Sequence, residues 1–258
     1  MKIDYYVLDP TGNTTILVDT PVLPGSMPFI AGRLMEQEPH SEQVGFLSAG
    51  PDGSFALRMA GGEFCGNASM CAAVLAAAKT GITNYTVDLN VSGASAPVSV
   101  RVEKQPGESW TGSVIMPQPD SFETVDLPEA GGHPVVCFSG ISHVILEKDM
   151  EKGKAEALAR NWCAFLKADA LGLLFLNREA GRLTPLVYVP AVDTLCWENS
   201  CASGTAAAGV YLSSVLKSPL CISFAQPGGS LMIDVSPEGV LTLTGAVKVL
   251  RQSSLTLS

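Results

Sequence analysis

Two cysteines stand apart from the other five by the residues on their carboxy-terminal side. Cys65 lies in FCGNAS and Cys201 in SCASGT, and each leads through small and turn-forming residues into an Ala-rich apolar run. A turn opening onto an apolar helix places the thiol at the helix amino terminus, where uncommitted N–H groups and partial positive charge favour a thiolate. A thiol with an ordinary pKa of about 8.5 can there be moved towards neutrality and act as base or, protonated, as acid. Two such groups suit inversion at a carbon, one removing a proton from one face and the other returning one to the opposite face. The first-turn amides meet the harder requirement. A proton α to a carboxylate is very weakly acidic, so the developing enediolate needs donors aimed at it. The backbone at Gly66 and Asn67, and at Ala202, Ser203 and Gly204, is expected to bind that carboxylate. Small residues there let the main chain come close. Cys71, Cys137, Cys163, Cys196 and Cys221 are assigned to packing, since a lone cysteine is usually a small buried apolar residue.

The elements that must position the two thiols repeat along the chain. DPTGNTTILVDT (9–20) is paralleled by FSGISHVILEKD (138–149), with Gly12 matching Gly140. FCGNASMCAAVLAAA (64–78) is paralleled by SCASGTAAAGVYLSS (200–214), at an offset of 201 − 65 = 136. VDLNVSGAS (87–95) matches SFAQPGGSL (223–231), and GSVIMPQP (112–119) matches VLTLTGAV (240–247). Four landmarks in one order indicate a duplication. Alternating runs predict strands at YYVLD, TILVD, SFALRM, TVDLNV, PVSVRV and SVIMP, with partners in the second half. One helix comes after each cysteine, the first ending at Gly81 and the second before Pro219. Further helices are expected over 29–38 and 150–168. The expected fold class is α+β, with two pseudo-symmetric domains, 1–120 and 121–258, each an antiparallel, barrel-like sheet wrapped on a central helix. The last strand is expected to cross back to the first half, and the linker to run from Asp120 to Pro134. Such halves would present their helix-start thiols to each other across a cleft.

Bulk properties exclude several classes. A net charge of −9 and a pI near 4.8 argue against nucleic acid and against an anionic membrane surface. No signal-peptide pattern opens the chain, and no apolar run approaches the roughly 20 residues of a membrane span, so a cytoplasmic location is expected. Seven cysteines without framework spacing read as free thiols. Three isolated histidines and no CxxC leave a metal site without ligands, and no phosphate-binding glycine loop occurs.

The paired motifs resemble the diaminopimelate epimerase-like superfamily of two-cysteine racemases and epimerases. GGEFCGNASMC (61–71) is similar to that superfamily's first cysteine motif and SCASGTAAA (200–208) to its second. GNTT (12–15) and GISH (140–143) resemble its two asparagine-bearing elements, so the resemblance spans about residues 9–248. It implies the diaminopimelate epimerase-like fold, Cys65 and Cys201 as base and acid, and no pyridoxal phosphate or other cofactor. It also implies a small amino-acid substrate and the homodimer common in the family. Asn13 and Asn67 match substrate-contacting asparagines, and His143 falls in the second substrate loop. Asn67 equally suits a helix cap, and His143 a packed loop residue.

The departures bear on the substrate. Diaminopimelate epimerase carries an arginine before its second cysteine that grips a distal carboxylate. Here the run is VDTLCWENS (192–200), with no arginine; Ile141 replaces an asparagine, and Ala202 comes after Cys201 where a glycine is usual. Glu198 is placed to bind an α-ammonium group or to stand as a solvated turn residue. Trp197 is either a wall for an apolar side chain or a core residue. With EQVGFLS (42–48) and MAGGEFCGNA (59–68), the pattern is most similar to the histidine racemases of metallophore pathways, with histidine or a broader set of amino acids as substrate. The alternatives are diaminopimelate epimerase itself, a phenazine-type isomerase that would not need both thiols, and an amino-acid-binding protein without turnover.

Overall fold

The computed structural model describes residues 1–49 and 55–257, without the side chain of Val192. Ser54, which opens the expected SFALRM strand, lies outside the described residues. The protein is α+β and divides into two compact units, Met1–Ile115 with Thr244–Ser258, and Met116–Leu243. In chain order the first unit contains β1 (Lys2–Pro10), β2 (Thr15–Val18), α1 (Met27–Gln37), β3 (Gln43–Ala49), β4 (Phe55–Met59), α2 (Gly66–Thr80), β5 (Asn84–Val91), β6 (Val98–Lys104) and β7 (Ser109–Ile115). The second contains β8 (Ser121–Leu127), β9 (Gly131–Phe138), β10 (Ile141–Leu146), α3 (Lys152–Leu166), β11 (Leu171–Asn177), β12 (Arg182–Val189), β13 (Thr194–Trp197), α4 (Ala202–Leu216), β14 (Leu220–Gln226) and β15 (Gly229–Val235). Strand β16 (Leu241–Thr256) begins in the second unit and continues into the first.

The first unit is a closed ring of eight strands, β1 to β7 in order, with β16 pairing both β7 and β1. The second runs β15–β14–β12–β11–β10–β9–β8, with β13 against β12. Both repeat one pattern of directions. Antiparallel β1–β2 is succeeded by parallel β2–β3 across α1, as antiparallel β9–β10 is by parallel β10–β11 across α3. Parallel pairs also flank the cysteine helices, β4–β5 around α2 and β12–β14 around α4. The turns entering β2 and β10 place Gly12 and Gly140 at φ 89° and 87°, in the left-handed region that favours glycine.

The two cysteine helices are enclosed by their sheets. α2 packs on β1, β2, β5, β6 and β7, and α4 on β9, β10, β11, β14 and β15. Their alanines and glycines let strands approach closely. A Cβ on Gly112 would stand 2.9 Å from Met70 of α2, and one on Gly209 of α4 would stand 2.8 Å from Ile233. The other helices cover the outside. α1 lays Met27, Ile30, Ala31 and Leu34 on Ile3, Tyr5, Val7, Ile16 and Val18. α3 lays Ala155, Leu158, Trp162 and Cys163 on Val144, Leu171, Leu173 and Phe175. Strands sandwiched between an inner and an outer helix are buried on both faces, which is why β2 and β11 are apolar runs rather than alternations. Each fully buried leucine or isoleucine contributes about 1.5–3 kcal/mol of apolar transfer.

Two expectations need correction. The stretch from Asp120 to Pro134 is no linker; it forms β8 and the start of β9, paired from Ser121–Cys137 to Leu127–Gly131. SFETVDL is largely exposed, so its alternation lacks the apolar face that identifies a strand. Cys196 and Cys221 are exposed rather than packed, whereas Cys71 and Cys163 are buried. Among the described residues, no helix is long and apolar enough to cross a membrane.

Candidate active site

Each cysteine is the N-cap of its helix, and the two caps share a geometry. Cys65 has φ −134°, ψ 111°, and Cys201 φ −126°, ψ 113°. Each Sγ accepts the amide three residues on, from Ala68 at 3.4 Å and from Gly204 at 3.3 Å. Each carbonyl accepts a hydroxyl four residues on, from Ser69 and from Thr205, both at 2.7 Å. The residue two before each cysteine is held by the next hairpin along the chain. Ser92 donates to the Glu63 carbonyl at 2.8 Å, and the Gly228 amide to that of Asn199 at 2.8 Å. Gly93, at φ 75°, permits this approach in the first unit, since a Cβ there would stand 2.2 Å from the Phe64 nitrogen. In the second unit, Gln226 also accepts the Cys201 amide at 2.9 Å and donates to Thr205 at 2.7 Å.

The first unit gathers Asn13, Asn67 and Cys65. Asn67 Nδ2 donates to Asn13 Oδ1 at 3.1 Å, and Asn13 Nδ2 donates to the Glu42 carboxylate. Gln43 joins this group to the thiol. Its Nε2 donates to Asn13 Oδ1 at 2.6 Å and to Thr15 Oγ1 at 2.8 Å, and its Oε1 accepts from Cys65 Sγ at 3.1 Å. Asn67 does not cap the helix; Cys65 does, and the Asn67 side chain is committed across to Asn13. Gly66 and Asn67 begin α2, buried within the unit. Behind Cys65, burial and then the neighbouring Cys65 sulfur push the Cys71 thiol well up.

The second unit gathers His143, Cys201, Ser203 and Gly204. Ser203 Oγ lies 3.5 Å from Cys201 Sγ and 2.9 Å from His143 Nε2. His143 is wholly buried and its Nδ1 has no hydrogen-bond partner. Burial lowers its pKa to about 3, so the ring is neutral. A neutral ring carries one N–H, and placing it on Nε2 leaves only an acceptor unpartnered, less costly than a buried orphan donor. Room for the ring comes from Gly172, its pairing partner on β11, where a Cβ would stand 2.2 Å from Nδ1. Phe138 meets the ring edge-on at 6.2 Å.

Electrostatics reverse one expectation. Burial, and then the Glu198 carboxylate, push the Cys201 thiol well above its ordinary range, and the hydrogen bonds from Ser203 and Gly204 pull it back only in part. Cys201 therefore stands as a thiol at neutral pH, because desolvation outweighs the helix terminus. The Gly204 amide, expected to serve a substrate carboxylate, is directed at Cys201 Sγ instead. Ala202 opens α4 beside it, and Glu198 is held by its own amide on the Pro185 carbonyl at 3.0 Å. Trp197 is a core-side residue, stacked on Phe175 at 5.6 Å with Nε1 donating to Glu156 at 2.9 Å.

Gln43, Glu42, Thr15, Gln226 and Gly172 were not singled out from sequence. The available signal was a polar pair opening the apolar strand QVGFLSA, and one glycine within LGLLFLN. Surface hollows of about 440 Å³, beside Ser213 and Lys217, and about 410 Å³, beside Lys104 and Trp110, contain neither cysteine. Hydrogen-bond geometry, not hollow volume, marks the site. Among the described residues, no three His, Cys, Asp or Glu side chains are grouped to hold a metal ion.

Comparison with known proteins identifies the family and the fold. The sequence profile of the family described as histidine racemase CntK N-terminal domain matches residues 2–251. A histidine racemase of Fusobacterium nucleatum subsp. nucleatum is 32% identical over 220 residues, covering 81% of each chain. One of Staphylococcus aureus is 30% identical over 246 residues, covering 90% of this chain and 88% of the relative. In fold, the chain is similar to a predicted epimerase of Pseudomonas aeruginosa, with a TM-score of 0.74 at 16% identity, covering 99% of this chain and 100% of that one. The chain belongs to the histidine racemase CntK N-terminal domain family, and with it to the racemase-type isomerases.

Proposed function

We propose that this protein is a cofactor-independent histidine racemase in which Cys65 and Cys201 are the paired acid and base. The duplicated thiol cap carries the reading: the same backbone conformation, amide bond and hydroxyl back-bond recur at two positions 136 residues apart. Serine, threonine, aspartate and asparagine are the preferred N-cap residues. Sulfur at both caps is therefore accounted for better by chemistry than by helix stability.

In the reaction a thiolate takes the α-proton and becomes a thiol. The C–H electron pair passes into the carboxylate as an enediolate. The other thiol gives its proton to the opposite face and is left as thiolate, so the next turnover runs in the reverse sense. Negative charge develops on the carboxylate oxygens, where first-turn amides at Gly66, Asn67, Ala202 and Ser203 would receive it. Glu198 would take the α-ammonium group, and that contact would offset part of the negative charge that raises Cys201. Asn13 and Asn67 would contact the substrate from the first unit. Histidine as substrate is supported by the relatives that bear that name, and by a 192–200 run with no arginine for a distal carboxylate.

Proton NMR in deuterated buffer with reductant and no pyridoxal phosphate tests this. Single L-amino acids and meso-diaminopimelate are incubated in turn with the protein. Loss of the α-proton signal of histidine is expected. Exchange of diaminopimelate in preference to histidine would overturn the substrate, and silence across the panel would overturn the reaction.

A further inference from the structure

Among the described residues, the hydrogen bonds leading to Cys65 fit one orientation of the side-chain amides, and that orientation bears on the thiol. A carboxylate can only accept, so the atom of Asn13 facing Glu42 is its amide nitrogen. Asn13 Oδ1 is thereby turned the other way, and it accepts from both Gln43 Nε2 and Asn67 Nδ2. Gln43 Nε2 is engaged twice, at Asn13 and at Thr15, which leaves Oε1 to face Cys65 Sγ. An amide oxygen can only accept, so the bond at 3.1 Å is satisfied when Cys65 carries its proton.

We infer that Gln43 is a positioning residue that holds Cys65 as a thiol, and that Glu42, through Asn13, locks the amide of Gln43 in the accepting sense. The lock rests on the reading of Cys65 as an acid/base group, but it concerns the protonation of the thiol rather than turnover. Asn13 and Gln43 face each other from the turn before β2 and the start of β3, parallel neighbours within the first unit. Strand pairing of Thr15 with Gln43 fixes the register, so the network is carried by backbone rather than by a mobile loop. Were the Gln43 amide to flip, its NH2 group would face the sulfur as a donor and favour thiolate.

Iodoacetamide labelling against pH, resolved for each cysteine by peptide mass spectrometry, reads the Cys65 pKa without requiring turnover. Glu42→Gln frees Asn13 and hence Gln43 to flip, so Cys65 should label faster at neutral pH, by about tenfold for each pKa unit of fall. Gln43→Glu keeps an acceptor and adds charge, so the Cys65 titration should move up. Lowering Cys65 through the loss of a nearby charge alone would also accelerate labelling in Glu42→Gln. The double variant separates the two causes. In a Gln43→Leu background, which has no amide to flip, only the charge contribution remains, so Glu42→Gln should shift the Cys65 titration by less than it does beside Gln43. An equal effect in both backgrounds, or no effect of Glu42→Gln alone, would overturn the lock. Failure of the racemase reading would appear separately, as absence of exchange by wild-type protein whose Cys65 titration still responds.

Discussion

The two thiols share a backbone frame but not an environment. Ladder rung by rung, Thr15 pairs with Gln43 in the first unit and His143 with Gly172 in the second. In the first, two polar side chains fill the rung and Gln43 offers an accepting oxygen to a half-buried Cys65. In the second, glycine empties one side, an imidazole takes the volume, and Ser203 stands between it and a buried Cys201. Asn67 and Ser203 occupy equivalent positions, two residues past each cysteine. Asn67 ties helix to loop, while Ser203 ties helix to histidine. A duplicated frame thus holds two chemically different sulfurs. The proposed inversion needs one of the two as thiolate when the α-proton leaves, whereas the resting contacts of both, the Gln43 oxygen at Cys65 and the burial of Cys201, favour the thiol.

The largest expected effect tests whether both halves are needed. Cys65→Ala and Cys201→Ala should each lower racemisation by about 10²- to 10⁴-fold, the usual contribution of a positioned acid or base. Retention of more than about a tenth of wild-type rate by either variant, in the same NMR assay, would break the two-base comparison. Next in size is Gly172→Ala, which forces a methyl into the His143 ring and should cost about 1–3 kcal/mol in urea unfolding. A neutral result would show that the second unit does not depend on that fit.

A pH effect of similar size belongs to the second unit alone. His143 has a folded pKa of about 3 against an ordinary 6.5, so the unfolded chain binds the extra proton between these values. Its stabilising contribution is complete above pH 6.5 and is lost as pH falls towards 3. Wild type should lose about 2 kcal/mol more than His143→Leu between pH 7 and pH 5, seen in urea midpoints. Parallel curves would remove the buried neutral imidazole from the account. The smallest effect is reactivity. Cys201 is 6% exposed and pushed up, so Cys65 should alkylate about tenfold faster at pH 7.5. Equal rates would erase the difference between the two sulfurs. Cys196 and Cys221 will label as well, being exposed, and are resolved by peptide.

Much of the frame was legible from local signals. The helix expected over 29–38 lies at Met27–Gln37, and that over 150–168 at Lys152–Leu166. The first cysteine helix ends at Gly81 in the left-handed conformation, and the second at Lys217, two residues before Pro219. These features depend on residues within about four positions of each other, the range over which caps and helical periodicity act. The β8 hairpin was missed because its strand shows too little apolar surface to mark a face.

The surroundings of each sulfur were decided only by tertiary structure. Gln43 reaches Asn13 across 30 residues through the parallel β2–β3 pairing, and Ser203 reaches His143 across 60 through the packing of α4 on β10, and no local pattern specifies either. The depth of burial that raises Cys201 likewise depends on how α4 packs on β9, β10, β11, β14 and β15. The sequence by itself determined where the thiols sit on their helices, because a cap is made by its own neighbours. Which atoms meet those thiols, and in which protonation state they are held, came from strand register and desolvation, which exist only once distant segments are packed.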